Sequence, residues 1–182
     1  MDRPLASVYP EWAQHAARLR GAVAGLSADE LALRAGPDHA AIWLLAAHVA
    51  SARVYWLCGV FEQPGADRTP FPDPFAEAWD DDESHPRSGA ELAWALDSSW
   101  AVVRDCLDRW SVEDLDRTAL RIRADGVRQV HSRASVLGRI STHDAFHAGE
   151  ISQLLGVHHL TPIDLWVRDP QVAAREAVDP EA

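Results

Sequence analysis

Cysteine is scarce in this chain: Cys58 and Cys106 are the only two among 182 residues. They lie far apart, among apolar residues at helical spacing. That excludes a disulfide framework and reads both as reduced thiols in or near the core. Neither neighbours the paired histidines described below, so neither is a candidate metal ligand. Long hydrophobic runs are missing as well. No apolar stretch reads as approaching the length of a membrane span, and the opening MDRPLASVYPEW has no signal-peptide core, so a soluble cytoplasmic protein is expected. Positive charge is in short supply. Seventeen basic residues against 28 acidic ones leave a formal charge of −11, and the one modest basic stretch is Arg117–Arg133. Nucleic-acid binding draws on a positive footprint that displaces counterions from phosphates, and this balance argues against it.

What is present fits one domain. Apolar residues make up 47% of the chain and charged residues 25%, which is ordinary for a globular protein with a single sizeable core. We expect that domain to cover residues 1–168, with a small, polar tail over 169–182 that frays. No internal repeat is visible.

Along the chain, Trp12, Ala16, Leu19 and Val23 recur at helical spacing and predict a first helix from Leu5 to Leu26. Ser27-Ala-Asp-Glu30 is a capping box for a short turn that ends before Gly36-Pro37-Asp38. A second long helix is expected from His39 to Phe61, with a stripe of Ala41, Leu44, Leu45, His48, Ala52, Tyr55 and Trp56. From Glu62 to Arg87 the composition changes to five prolines and a run of four acids, Asp80 to Glu83. This predicts a long loop, with Phe71, Phe75 and Trp79 packing part of it down as a lid. The acidic run reads as a solvated patch or helix-start charge, because it lacks the spacing and turn glycine of a Ca²⁺ loop. A second capping box, Ser88-Gly-Ala-Glu91, opens a third helix to Arg109. Ser111-Val-Glu-Asp114 resembles a third cap. Leu115 to His131 alternates around Asp125-Gly126 as a small hairpin. A fourth helix runs from Ser132 to Leu155 and stops at Gly156. Four amphipathic helices of this kind predict an all-α four-helix bundle.

The last helix carries the chemistry. His143 and His147 are four residues apart, one turn on a single helical face, where the apolar stripe asks for leucines. A buried imidazole needs a partner for each ring nitrogen, and an unpaired polar group costs roughly 1–3 kcal/mol. A shared divalent metal is one such partner. His48 is a third inward histidine, on a facing helix. Three histidines with no fourth protein ligand match the count of a catalytic zinc site with an open position, and Ni²⁺ or Fe²⁺ suits imidazole too. Glu150, one turn after His147, is the candidate catalytic residue: it can accept a hydrogen bond from a ligand imidazole or act as a general base, the bland alternative being a solvent-edge carboxylate. Arg53, Tyr55 and Trp56 are read as pocket-lining groups. His131 reads as a helix-start or loop residue, and His158 and His159 as an exposed turn. His15, His39 and His85 read as surface residues. Most of the eight tryptophans read as core packing, with an indole wall beside the metal position as the alternative.

Trp43-Leu-Leu-Ala-Ala-His48 and His143-Asp-Ala-Phe-His147-Ala-Gly-Glu150, in this order and about a hundred residues apart, resemble the DinB-like (DinB/YfiT) superfamily from about Tyr9 to Gly156. The resemblance implies a bundle with a non-sequential helix arrangement and a divalent metal held by His48, His143 and His147. Characterised relatives of that superfamily use the metal to activate a low-molecular-weight thiol, as isomerases or S-transferases, and homodimers are common. The expectation is therefore a metal-dependent enzyme, a thiol transferase or hydrolase, acting on a small-molecule substrate or thiol. Two alternatives stand beside it: a non-catalytic metal-binding or stress-associated protein, and a bundle whose histidines merely hydrogen-bond one another. No motif reports the thiol.

Overall fold

The computed structural model describes residues 4–164. The tail over 169–182 and the end of the short apolar piece Ile163–Val167 lie outside the described residues. The fold is all-α apart from one hairpin. Its elements are α1 (Trp12–Ala24), the short α2 (Ala28–Leu31), α3 (Ile42–Val54), α4 (Gly89–Arg109), β1 (Thr118–Ile122), β2 (Arg128–Ser132) and α5 (Arg133–Val157).

Start signals in the sequence explain most boundaries. Ser27 and Ser88 each cap the N–H three residues on, and Glu30 and Glu91 return the bond, so both capping boxes form. The first helix is shorter than its periodicity predicts. Leu5–Ser7 forms a separate 3₁₀ turn and α1 begins only at Trp12, just after Pro10, whose ring and missing N–H break the helix. The last helix runs past Gly156 to Val157, and the left-handed residue that ends it is His159 (φ 62°) rather than the glycine. Gly156 is an ordinary helical position, where a Cβ would make only a normal contact with Pro162 at 3.5 Å.

The second predicted helix divides in two. After Val54 the backbone widens into a π-turn, Tyr55–Val60, with Phe61 N–H donating to Trp56 O at 3.2 Å, five residues back. Such turns insert a residue and re-aim the side chains around it. The segment Ile42–Val60 is long and apolar enough, by length and composition, to cross a membrane, which corrects the expectation that no run approaches that length. Its apolarity has a packing cause: 67% of the apolar window is buried, with helices on both sides of α3.

α1 and α3 each pack on both α4 and α5. The cyclic order is therefore α1–α4–α3–α5: α1 stands diagonal to α3 and α4 to α5, while α3 and α4 are neighbours, a non-sequential arrangement as the resemblance implied. Gly89 permits one of these contacts, since a Cβ there would meet Ala24 O at 2.8 Å. The core forms two apolar clusters. One gathers Leu19, Val23, Val49, Leu96 and Ile151, and the other Trp12, Leu57, Val103, Leu107 and Ile140. β1 and β2 pair antiparallel, Thr118 opposite Ser132 and Ile122 opposite Arg128.

Between the two apolar clusters lies a polar layer. Arg53 and Asp144 are both buried and joined at 2.9 Å (Nη2 to Oδ2). Trp12 Nε1 donates to Asp144 Oδ2 at 3.0 Å, and Arg53 Nη1 donates to Leu96 O and Ser99 Oγ at 3.3 Å. One network thus ties α1, α3, α4 and α5 together.

Candidate metal centre

On α5 the buried stripe is Val136, Leu137, Ile140, Asp144, Ala148, Ile151 and Leu155. His143 and His147 flank that stripe, half-buried, and do not occupy its centre. This corrects their reading as leucine substitutes: the polar residue in the core line is Asp144. On α3 the same holds, because Leu44, His48, Ser51, Ala52 and Tyr55 form its least buried face. The two flanks meet.

The three imidazoles converge there. His48 Nε2 and His143 Nε2 are 3.0 Å apart, and one ring nitrogen from each of His48, His143 and His147 lies within 4.8 Å of the others. Tetrahedral coordination at about 2.0–2.1 Å separates nitrogen ligands by roughly 3.3 Å, so small rotations bring the three to that spacing.

Two carboxylates stand behind the rings. His48 Nδ1 donates to Asp80 Oδ2 at 2.7 Å, and Ser51 Oγ donates to Asp80 Oδ1 at 2.8 Å. His147 Nδ1 donates to Glu150 Oε2 at 2.6 Å. A carboxylate only accepts, so both protons sit on Nδ1 and both Nε2 lone pairs point inward. His143 Nδ1 is buried without a hydrogen-bond partner. In the metal-free cluster, its Nε2–H donates to the His48 lone pair.

The electrostatics follow from these contacts. The Asp80 hydrogen bond raises the His48 pKa, against the opposing effect of burial. Burial by itself would push the Asp80 carboxyl up, but the hydrogen bonds from His48 and Ser51 outweigh it and hold the group below its usual range. Burial, then the neighbouring His147 and His48, lower the His143 pKa to about 4. His143 is therefore neutral at pH 7. Among the described residues the donor set fits a divalent ion of the zinc type: three imidazoles, two of them backed by carboxylates.

His48 and His143 open onto a cavity of about 720 Å³, walled by Ser51, Tyr55, Trp56, Phe71 and Phe75 among others. The loop over 70–78 forms one wall and closely approaches the π-turn Tyr55–Val60. Gly59 makes room for it, since a Cβ there would meet Pro74 and the Phe75 ring at 3.1–3.3 Å. The expected lid is thus a cavity wall, held by the buried Phe71 against Trp79 at 5.5 Å.

The three histidines expected as ligands come together, Glu150 stands against His147, and Tyr55 and Trp56 line the cavity. Arg53, expected to line the pocket, is instead 1% exposed and belongs to the Asp144 network. Asp80 was expected in a solvated patch, whereas a 3₁₀ turn (Trp79–Asp81) carries that residue onto His48. His131 is a strand residue whose ring packs against Trp56 at 4.9 Å. The Asp144 signal was present: continuing the stripe from Leu137 through Ile140 by three and four lands on it.

The family model of the DinB superfamily matches residues 11–151. A crystal structure of a DinB-like protein from Bacillus cereus ATCC 10987 superposes with a TM-score of 0.59 at 17% identity, covering 89% of this chain and 97% of that one. At that identity the likeness speaks for the fold alone. No curated protein matches the chain at the sequence level.

Proposed function

Since this chain belongs to the DinB superfamily, we propose that it is a divalent-metal-dependent enzyme, a thiol transferase or hydrolase, with zinc held by His48, His143 and His147. The observation that carries this reading is the pairing of a converging three-histidine cluster with an adjoining cavity. A purely structural zinc site is closed by four protein ligands, whereas catalytic sites keep a position for water or substrate. A divalent ion at this position supplies Lewis acidity, which makes water or a thiol nucleophilic at neutral pH.

The chain's own residues do the rest. Asp80 and Glu150 fix the tautomers of His48 and His147 and hold the ring planes. Glu150 is a positioning residue in this proposal. It borders a separate groove with Leu45 and Gln153, so proton transfer within the cavity does not run through it. Tyr55, Trp56 and Phe75 give the cavity an apolar side that excludes water from a bound substrate. The cofactor thiol, where one is used, enters the same cavity. Two free thiols, Cys58 and the buried Cys106, suit a reducing cytoplasm. Burial pushes their pKa values up to about 11 and about 12, which removes them as nucleophiles. A homodimer is supported by an exposed apolar hairpin face, Leu120, Ile122 and Val130.

The test is metal analysis of protein purified without a histidine tag, followed by turnover with low-molecular-weight thiols and ester substrates. We expect about one zinc per chain and its loss in His147→Ala. Metal that is absent, or unchanged in the variant, sinks the metal site. Bound metal without turnover in either assay leaves a binding protein instead.

A further inference from the structure

The hairpin is built inside out. Along β1 the exposed positions are Thr118, Leu120 and Ile122, and the inward ones Ala119 and Arg121; across from them Gln129 and His131 also face in. A hairpin docked only to cover the bundle would turn its leucine and isoleucine inward. This one turns Leu120 out and Arg121 toward the cavity beside His48 and His143, which the largely exposed Ile122 also borders.

Arg121 is held in place there. Its Nε donates to Tyr55 OH at 2.7 Å, Nη1 donates to Gln129 Oε1 at 3.2 Å, and the guanidinium lies 4.9 Å from the Trp56 ring. Arg139 approaches the same indole at 5.0 Å and also lines the cavity. Two cations thus share one tryptophan. Neither has a carboxylate within ion-pair distance among the described residues, in a chain that carries 28 acids. The cavity's own acids are largely committed. Asp73 accepts from Phe75 N, Asp80 from His48 and Ser51, and Asp81 from Ala78 N; Glu77 alone makes no such bond. The nearby His131 has its pKa lowered by burial and then by Arg139 and Arg121, in keeping with a locally positive field.

Arg139 stands four residues before His143 on α5, one turn away, a rise of about 6 Å. Both arginines line the same cavity as His48 and His143, and Tyr55 and Trp56 line it with them.

We propose that the cavity takes a small organic anion, its carboxylate or phosphate bound by Arg121 and Arg139 and its apolar body lying along Tyr55 and Trp56 toward His48 and His143. Guanidinium forks match either oxyanion. The proposal deepens the enzymatic reading by naming the substrate class, but the anion grip itself stands on the arginines and not on the metal.

The test titrates benzoate, phenyl phosphate and neutral benzamide into the full chain, both metal-free and zinc-loaded, following tryptophan fluorescence. We expect at least one anion to bind tenfold or more tightly than benzamide in both forms, the tighter of the two identifying the head group. Arg139→Gln, at an exposed position without side-chain hydrogen bonds, is expected to weaken that anion about tenfold and leave the melting curve unchanged. Arg121→Gln should weaken that anion similarly, while Arg128→Gln, an exposed hairpin arginine outside the cavity, should not. Equal binding of benzamide, or an equal loss in Arg128→Gln, overturns the proposal. Anion binding that appears only with zinc and ignores both arginines overturns it too, and leaves the metal site standing. Arginine-dependent binding in a chain that takes up no zinc keeps the anion subsite and sinks the metal reading alone.

Discussion

Two polar clusters occupy the middle of this bundle, one residue apart on α5, and they are built on opposite principles. Around Asp144 every strong group is answered from within the chain: Arg53, Trp12, Ser99 and the Leu96 carbonyl close the network, and both charges are buried. Around His143 the answer is incomplete. Its Nδ1 has no partner, two inward lone pairs face it from His48 and His147, and the cluster opens onto a cavity. A self-satisfied network holds helices in register. An incomplete one, rigidly oriented from behind, is what a ligand completes.

The sharpest way to break the contrast is Asp144→Ala. It leaves the Arg53 guanidinium buried and unpaired, so we expect a loss of about 3–5 kcal/mol in urea unfolding, or failure to fold. Arg53→Met combined with Asp144→Leu should recover most of that loss, because two apolar side chains leave no charge behind. If Asp144→Ala is as stable as the parent, the network does not hold the bundle together.

Zinc should move the other cluster by a smaller amount. At a hundredfold excess over Kd, a ligand that binds only the folded chain adds about 2.7 kcal/mol, seen as a rise in Tm. His147→Ala should abolish the rise. Asp80→Asn and Glu150→Gln should each weaken zinc binding about 10–100-fold, the usual effect of removing a carboxylate that orients a ligand histidine. Equal affinity in Asp80→Asn would reduce that loop carboxylate to a surface charge.

The smallest expected effect is on pH. In the metal-free chain the His143 pKa falls from 6.5 unfolded to about 4 folded, so the folded state binds fewer protons between those values. Its contribution is complete above pH 6.5 and is lost as the pH falls toward 4. His48 works the other way: its raised folded pKa favours folding below 6.5, a benefit lost on passing above the folded value. Plots of Tm against pH should therefore flatten between pH 4 and 6.5 in His143→Ala, whereas His48→Ala should change the slope only above pH 6.5. The same slope in both variants would refute this assignment.

Much of this arrangement was legible in the sequence, and the exceptions have physical causes. Capping boxes and helical spacing are local, so Ser27, Ser88 and the four long helices could be read directly. The hairpin followed from alternation around Asp125-Gly126. Which face of that hairpin turns inward did not, since alternation is symmetric until something packs against one side. Arg53 could not be separated from Tyr55 by spacing, because α3 is apolar nearly all round and offers no polar face as a reference. Asp80 lies 32 residues from His48, at the end of a proline-rich loop, and no local pattern connects the two.

The sequence by itself determined the helices, the spacing that puts His143 and His147 on one face, and the candidacy of His48. Those depend on backbone geometry that neighbours in the chain impose. The tertiary structure decided what surrounds them: the carboxylates that set the tautomers, the buried Arg53–Asp144 pair beside the cluster, and two arginines at the cavity. Each of these depends on contacts between segments distant in the chain, whose geometry is fixed only when the four helices pack in the order α1–α4–α3–α5.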